Sequence, residues 1–262
     1  MEDAGLRTRI LHCFLLLAAA ACGGPATGDD PPSLRIASDA TFPPFHYLDD
    51  EGTPTGLDLA LAEEAARRAG YAAEVVVRPY DVLFAELLEG RHDLVAATTG
   101  VTPEREARYL FTRPYFSTAQ VVIVRTGPGE PGTLGDLEGR RVGAAGEGTS
   151  AAALGTLADV ERVVLGKGQA GVPALEGGEI DALIVDEFDA VAAARASEGR
   201  LRVLREPVAR EDYAFVLTPG RASLKAELDA ALDTMEQEGR FAEIRSAFGV
   251  ERDADWPVAL EP

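Results

Sequence analysis

The sequence predicts an α/β protein of two lobes that are joined by two connections. Between residues 34 and 97, short β-rich runs alternate with helical patterns and complete two βαβ steps. A Gly- and Pro-rich stretch at residues 126–132 follows, and the alternation then starts again. A late β-rich run at residues 213–217 is placed to return the chain to the first lobe. Because the chain crosses the lobe boundary twice, we expect two hinge connections with a ligand cleft between the lobes.

The first lobe is predicted from residues 34–123 and 214–250. Its expected strands are residues 34–37, 74–77 and 93–97. Thr55-Gly56-Leu57-Asp58 has the pattern of a capping box, so we expect a helix that begins there and closes at Gly70. Further helices are expected at residues 81–89, 222–237 and 241–248.

The second lobe is predicted from residues 124–213, after the apolar run at residues 119–124. Its expected strands are residues 141–145, 163–165 and 181–185. Its expected helices are residues 149–157, residues 172–176 and a helix that begins at Glu187.

Both ends of the chain are predicted to lie outside the folded body. Arg7 and Arg9 precede an apolar run at residues 10–21 that is too short to span a bilayer, and small residues lead into Cys22. Residues 1–22 are therefore a targeting segment, residues 23–33 a flexible linker and residues 251–262 a loosely held tail. Two interpretations of the targeting segment are open, an ordinary cleaved signal peptide and a lipoprotein signal that makes Cys22 the lipidated first residue.

Composition excludes several classes of function. The 262-residue chain has a net charge of −19 and no Lys/Arg-rich run, which argues against nucleic acid and anionic membrane surfaces as partners. Its two cysteines, Cys13 and Cys22, lie in the targeting segment, so the folded part has no disulfide and no cysteine metal site. The body holds two histidines, His46 and His92, and we expect no metal and no cofactor.

Arg105 is the first candidate for ligand binding. Thr102 and Pro103 have the residue types of an N-cap and a first helical position, which places Arg105 where a strand hands over to a helix. An arginine there can bind a carboxylate by two parallel hydrogen bonds. The alternative is a solvated surface arginine.

A second candidate is the run Gly146-Glu147-Gly148-Thr149-Ser150, which precedes a helix. Its backbone amides and the hydroxyls of Thr149 and Ser150 can join Arg105 around one carboxylate. Such a run is also typical of a simple turn and cap.

Several segments together resemble one protein family. They are residues 34–70, DLVAATTGVTPER at 93–105, GEGTSAAA at 146–153, GGEIDALIVDE at 177–187 and the C-terminal residues 224–249. In order and spacing the chain resembles, over residues 34–249, the bacterial extracellular solute-binding proteins of family 3 that feed polar amino acids to ABC importers. The resemblance implies a type II periplasmic-binding-protein-like fold and a monomer, lipid-anchored at the outer face of a membrane, that passes an amino acid to a permease.

The resemblance also implies roles for individual residues. Arg105 matches the arginine that binds the ligand α-carboxylate, and Asp186 matches the acidic residue for the α-ammonium, with an N-cap role for Asp186 as the alternative. The positions that match contacts to the ligand side chain or its surroundings are Asp39, Phe42, Tyr80 and Thr98. For Phe42 and Tyr80 core packing is the alternative, and Phe45 is assigned to the core.

The chain departs from the family at three places. Gly100 stands where many members have Ser or Thr in contact with the ligand, so its backbone N–H must serve or the pocket is wider. The segment at residues 166–169 is rich in glycine, and Lys167 is either a solvated loop residue or a cleft residue that meets an acidic ligand. His46 is expected at the surface or rim. With Asp39 present, a ligand side chain that donates hydrogen bonds is favoured over an acidic one.

Catalysis is the main alternative to transport. No nucleophile elbow, phosphate-binding loop, HExxH or CxxC motif occurs in the sequence. Some proteins that resemble amino-acid-binding proteins are cyclohexadienyl dehydratases that use a pocket carboxylate, a role open to Glu147 or Glu187. A ligand-sensing module is a third class. The pairing of Arg105 with Asp186 favours a binding protein that is not an enzyme.

Overall fold

Two mixed β-sheets organise the computed structural model, which describes residues 30–146, 148–166 and 170–251. The strands in chain order are β1 (Ser33–Ser38), β2 (Thr41–Phe42), β3 (His46–Leu48), β4 (Pro54–Thr55), β5 (Ala72–Val77), β6 (Leu94–Val95), β7 (Leu110–Phe111), β8 (Phe116–Arg125), β9 (Arg141–Ala145), β10 (Glu161–Leu165), β11 (Ala182–Asp186), β12 (Leu201–Val203), β13 (Ala209–Tyr213) and β14 (Val216–Leu217). The helices are α1 (Leu57–Arg68), α2 (Tyr80–Leu88), α3 (Pro103–Glu106), α4 (Thr149–Thr156), α5 (Gly171–Glu176), α6 (Glu187–Ala196), α7 (Ala222–Gln237) and α8 (Arg240–Ala247), and a 3₁₀ turn covers Leu134–Leu137.

The first sheet has the order β5-β1-β6-β14-β7, with β1 parallel to β5 and β6 and with β14 antiparallel to both of its neighbours. An apolar layer under α1, α7 and α8 covers one face, and a smaller layer under α2 covers the other. The predicted strands of this lobe are confirmed, and the prediction of α7 is correct to the residue.

The second sheet has the order β10-β9-β11-β8-β12, and β13 also pairs with β8. Along β8 the buried side chains alternate between two apolar layers, with Val121 and Ile123 in one and Val122 and Val124 in the other. Both faces of the sheet are therefore covered, which is why residues 119–124 read as a continuous apolar run. The predicted strand at residues 141–145 coincides with β9.

The passage between the sheets differs from the expectation. The sequence placed residues 34–123 in the first lobe, whereas β8 pairs with β11 and β13 in the second sheet, so the chain crosses before Phe116. The Gly- and Pro-rich stretch at residues 126–132 follows β8 and lies within the second half. The chain crosses at residues 112–115 and again at residues 214–215. The first segment is tied to the second by Thr112 N–H, which donates to Phe215 O at 2.9 Å, and to the end of β13 by Tyr115 N–H, which donates to Tyr213 O at 3.0 Å.

The predicted capping box at α1 is wrong. Gly56 is the N-cap residue and no side chain caps the helix. Instead the N–H groups of Leu57 and Asp58 donate to the carbonyls of Pro44 and Phe45 at 3.0 and 2.8 Å. Those carbonyls belong to the turn between β2 and β3, two strands of the small β2-β3-β4 sheet, which the sequence analysis did not predict. Tertiary contact thus satisfies the helix start that a local motif was expected to satisfy.

Within the described ranges no helix is long and apolar enough to cross a membrane. The targeting segment, residues 23–29 of the linker and residues 252–262 of the tail lie outside those ranges, so the expectations for them are not addressed by the fold.

Candidate functional site

Asp39, His46 and Thr98 form an array on the first lobe. Asp39 Oδ1 lies 3.2 Å from His46 Nδ1, and His46 Nε2 lies 3.2 Å from the Thr98 hydroxyl. Thr41 donates its hydroxyl hydrogen to the other carboxylate oxygen of Asp39. The expectation that His46 lies at the surface is wrong, because pairing of β2 with β3 turns its ring inward and leaves it 2% exposed. Burial lowers the pKa of His46 below its ordinary value, and the charge of Asp39 opposes that shift.

Asp58 holds the loop that carries Thr98. Its fully buried carboxylate accepts a hydrogen bond of 2.6 Å from the Thr98 N–H, and Thr98 has a φ of 39°. Burial raises the pKa of Asp58 to about 7, while the Thr98 N–H and the neighbouring Tyr115 hydroxyl act in the opposite direction. A buried carboxylate is costly, so its place here is explained by the strained loop that it fixes.

Arg105 lies between the two halves of the molecule. The Thr102 hydroxyl caps the short helix α3 by accepting from the Arg105 N–H at 3.3 Å, which confirms the predicted helix start. The Arg105 side chain is partly buried and donates from Nη1 to Gly100 O at 2.8 Å. A Cβ atom on Gly148, just before α4, would lie 3.8 Å from Arg105 Nη2. The guanidinium thus reaches from the first sheet to the loop that opens a helix of the second.

Thr149 and Ser150 begin α4, as predicted, but their hydroxyls have partners within the protein. The Ser150 hydroxyl donates to Gln120 Oε1 at 2.6 Å, and Gln120 Nε2 donates to Glu211 Oε2 at 2.5 Å. The Thr149 hydroxyl is also hydrogen-bonded to Glu211. Both hydroxyls are therefore engaged in a network that centres on Glu211.

Gln120 and Glu211 were missed by the sequence analysis. Gln120 is 2% exposed and Glu211 is 7% exposed. The signal for Glu211 was its spacing from Tyr213, because residues two apart on a strand face the same side of the sheet. β8 lies between β11 and β13, with Gln120 opposite Asp186 and Thr118 opposite Glu211.

Asp186 caps α6, and its carboxylate faces the returning strand β13. Oδ1 accepts from the Phe188 N–H at 2.8 Å, while Oδ2 accepts from the Thr118 hydroxyl at 3.2 Å and from the Tyr213 hydroxyl. Burial raises the pKa of Asp186 to about 7, which the bonds from Tyr213 and Phe188 oppose and the charge of Glu211 reinforces. The N-cap role is confirmed, and it leaves the ligand role open.

Of the three aromatic residues considered as ligand contacts or core, Phe45 lies in the core, whereas Phe42 and Tyr80 are in part exposed. Phe45 is fully buried and contacts the rings of Phe116, Phe188 and Tyr213, so its core assignment is confirmed. Phe42 is partly exposed and stacks on Phe45 with 5.4 Å between ring centroids. Tyr80 is 43% exposed, and its hydroxyl interacts with Arg105.

A cleft of about 970 Å³ opens beside Arg105, and its lining includes Tyr80, Gly148 and Ala151. Of the residues that the sequence predicts to contact the ligand, Tyr80 and Arg105 line this cleft. The others are not part of its lining: Asp39, Phe42, Thr98, Gly100, Thr149, Ser150 and Asp186. Contacts among their atoms bring Tyr80, Gly100, Arg105 and Thr149 into one neighbourhood, and Ser150 follows Thr149 in the first turn of α4. The structure places Asp39 with Thr98, and it places Asp186 beside Thr118 and Tyr213.

The sequence left open a catalytic role for Glu147 or Glu187 and a cleft position for Lys167. Glu187 is fully buried in the first turn of α6. Glu147 and Lys167 lie outside the described residues. Across the described ranges no group of three or more His, Cys, Asp or Glu side chains is arranged to hold a metal ion.

Comparison with known proteins gives consistent matches. The profile of the bacterial extracellular solute-binding proteins, family 3, matches residues 34–251. The L-cystine-binding protein TcyJ of Escherichia coli is 27% identical over 210 residues, which is 79% of each chain. The histidine-binding periplasmic protein of E. coli is 30% identical over 202 residues, which is 75% of this chain and 72% of its own.

Among solved structures, an ancestral arginine-binding protein bound to arginine superposes with a TM-score of 0.68 at 26% identity. The match covers 82% of this chain and 97% of that one. The α/β periplasmic-binding-protein fold with two sheets, expected from the sequence, is confirmed by this likeness.

Proposed function

Because the chain belongs to the bacterial extracellular solute-binding proteins, family 3, we propose that it binds a polar L-amino acid, or a close analogue, outside the cytoplasm and delivers it to an ABC importer. The observation that carries this function is the match over residues 34–251, nearly the whole described body, together with relatives named for binding cystine and histidine. These relatives are named as binding proteins and not as enzymes, in agreement with the expectation of a carrier.

The ligand site that we propose is a clamp for an amino-acid zwitterion. Arg105 would bind the α-carboxylate, with the Gly100 N–H and the start of α4 at Thr149 and Ser150 beside it. Asp186 would bind the α-ammonium. The position of Arg105, hydrogen-bonded to Gly100 O and next to Gly148, supports this assignment.

The ligand side chain would meet a second group of residues. Asp39 would accept its hydrogen bonds, and Phe42 and Tyr80 would cover its faces. Thr98 would contribute from the loop held by Asp58. The His46 ring supports this arrangement because it lies between Asp39 and Thr98, with a ring nitrogen 3.2 Å from a side-chain oxygen of each.

Closure of two lobes would complete the site. We propose that the lobes are the two sheets with their helices, and that the hinge is formed by residues 112–115 and 214–215. In the open form the ligand would dock on the first lobe, and closure would bring Thr149, Ser150 and Asp186 onto it. A charge left buried and unpaired costs about 2–5 kcal/mol, so both ends of the zwitterion would contribute strongly to affinity.

Calorimetry with a panel of L-amino acids tests this function. At least one of them should bind with a dissociation constant well below about 1 mM, equivalent to roughly −4 kcal/mol. If none binds more tightly than that, the carrier function is wrong. Turnover of prephenate or arogenate by the purified protein would instead establish the dehydratase.

We further propose that the protein is a monomer, lipid-anchored through Cys22 at the outer face of a membrane. Small residues lead into Cys22, which supports a lipoprotein signal. Mass spectrometry of the mature N-terminus should find a diacylated Cys22, and Cys22→Ser should move the protein from the membrane fraction to the soluble fraction. A mature N-terminus at any other residue would contradict the anchor.

A further inference from the structure

Glu211 lies at the meeting point of the residues proposed to bind the ligand. It belongs to β13, the strand that leads into the second crossing segment, and it is 7% exposed. Its neighbours Asp212 and Tyr213 fix that strand to the loop of Gly100, because Val101 N–H donates to Asp212 O at 2.9 Å and Gly100 pairs with Tyr213. The backbone thus holds Glu211 beside the loop of Gly100.

The Glu211 carboxyl group occupies the space that a side chain on residue 100 would need. A Cβ atom on Gly100 would lie 1.9 Å from Glu211 Oε1 and 2.9 Å from Thr149 Cγ2. Both distances are far inside van der Waals contact. Gly100 and Glu211 are therefore a matched pair, in which the absence of one side chain makes room for a carboxylate that reaches across from β13.

Glu211 also carries charge into a site that already has an excess of carboxylates. Together with Glu211, the residues proposed to bind the ligand carry three carboxyl groups, on Asp39, Asp186 and Glu211, and one guanidinium, on Arg105. The positive charge of Arg105 acts on Glu211, so part of the field of Arg105 is already balanced within the protein. Burial raises the pKa of Glu211 above its ordinary value, while hydrogen bonds from Gln120 and Thr149 and the Arg105 charge favour the anion.

We propose that Glu211 is a further ligand-recognition residue, whose carboxylate selects against ligands with a second negative charge and favours ligands with a positively charged side chain. The inference rests on the proposed function, since it concerns which amino acids the same site accepts. A zwitterion uses Arg105 and Asp186 and adds no net charge. A side-chain carboxylate would then meet the fields of Asp39 and Glu211, whereas a side-chain cation would be attracted by both.

Two pairs of ligands of similar shape but different charge test the proposal. They are glutamine with glutamate, and citrulline with arginine. Calorimetry on the wild-type protein should show weaker binding of glutamate than of glutamine, and tighter binding of arginine than of citrulline. Glu211→Gln should reduce at least one of these two affinity ratios by about tenfold, which is the change expected when one buried charge is replaced by its neutral isostere.

The affinity ratio within each ligand pair distinguishes a role of Glu211 in ligand recognition from a purely structural role. A variant that merely loosens the cleft weakens both members of a pair alike and leaves their ratio unchanged. Glu211→Asp keeps the charge and should keep the preference, so it serves as the conservative rescue. Asp212→Asn removes the adjacent exposed carboxylate, which accepts from the Ser117 hydroxyl at 2.6 Å, and should leave the ratios as in wild type.

Thermal unfolding tests the steric relation between Gly100 and Glu211. Gly100→Ala should destabilise the protein, and Glu211→Ala in the same chain should restore part of the loss, because it removes the atoms within 2.8 Å of the new Cβ. If the double variant is no more stable than Gly100→Ala, the steric relation is wrong.

The binding experiments separate this inference from the proposed function. If wild type binds no amino acid, the proposed function fails and this inference with it. If amino acids bind and neither ratio changes in Glu211→Gln, only this inference is overturned.

Discussion

The fully buried carboxylate of Asp58, in the second position of α1, accepts a hydrogen bond of 2.6 Å from the backbone N–H of Thr98 in a distant loop. That bond joins α1 to the loop that leads to Gly100 and Arg105. Asp58 is therefore a support for the proposed site, and not the helix-capping residue that its local pattern indicates.

Asp58 should make stability depend on pH. Its pKa is raised to about 7 in the folded state from an ordinary value of 3.8, so the folded protein binds more protons than the unfolded chain between those values. Stability must then fall as pH rises through that window, and Asp58→Asn should remove this part of the fall. Urea unfolding at a series of pH values measures the slope.

Asp186 has a pKa raised in the same direction, so part of the slope should remain in Asp58→Asn. Asp50→Asn, at an exposed position, is the matched control and should keep the wild-type slope. Equal slopes in wild type and Asp58→Asn would show that Asp58 does not retain its proton in the folded state.

Arg105→Ala should abolish ligand binding without unfolding the protein. The variant removes the cation proposed to bind the α-carboxylate, and the structure loses the hydrogen bond to Gly100 O and the interaction with the Tyr80 hydroxyl. We expect affinity to fall by at least about thirtyfold, since loss of one partner of a desolvated charge pair costs roughly 2–5 kcal/mol. Calorimetry gives the affinity and circular dichroism the fold. As a control, Arg91→Ala changes an exposed arginine that pairs with Glu86 and should bind as wild type. Retained affinity in Arg105→Ala would refute the carboxylate assignment.

Ligand binding should release protons near neutral pH. Burial raises the pKa of Asp186 to about 7 in the ligand-free protein, and an α-ammonium beside it would favour the anion. The pKa of Asp186 should therefore fall on binding, and affinity should increase as pH rises through about 7. Calorimetry in buffers of different ionisation enthalpy counts the protons released. Asp186→Asn should show a smaller release, and an unchanged count in that variant would place the ammonium elsewhere.

Gly56→Ala should destabilise the first lobe strongly. Gly56 has a φ of 126°, and a Cβ there would lie 2.3 Å from the Phe45 carbonyl oxygen, the acceptor for the Asp58 N–H. Strain and the displaced helix start together should cost about 3 kcal/mol or more in unfolding free energy. Gly52 also has a positive φ, of 79°, but a Cβ atom there would meet nothing within 4 Å. Gly52→Ala should therefore cost only about 1–2 kcal/mol in unfolding free energy. Similar losses in the two variants in urea unfolding would show that the contact with Phe45 is unimportant.

Much of the fold could be predicted from the sequence because local signals and tertiary structure agree there. The helix at residues 222–237 carries Leu224, Leu228 and Leu232 on one buried stripe, and the strand at residues 141–145 has turn residues on both sides. Hydrophobic periodicity indicates which face of a helix or strand is buried, so long elements with one buried face can be predicted from the sequence alone.

Other features are set by contacts between distant segments. β8 was placed in the wrong half because an apolar run records that a strand is buried and not which sheet buries it. His46 was assigned to the surface, since nothing in its local pattern shows that β2 and β3 pair and turn it toward Thr98.

The sequence by itself determined the α/β class, most helices and strands, the helix start that presents Arg105 and the N-cap position of Asp186. Each of these depends on residues close together in the chain. Only the tertiary structure decided that Asp58 holds Thr98 and that Glu211 fills the space beside Gly100. These pairs are 40 and 111 positions apart, and buried polar groups find their partners in space, wherever the fold brings a donor to an acceptor.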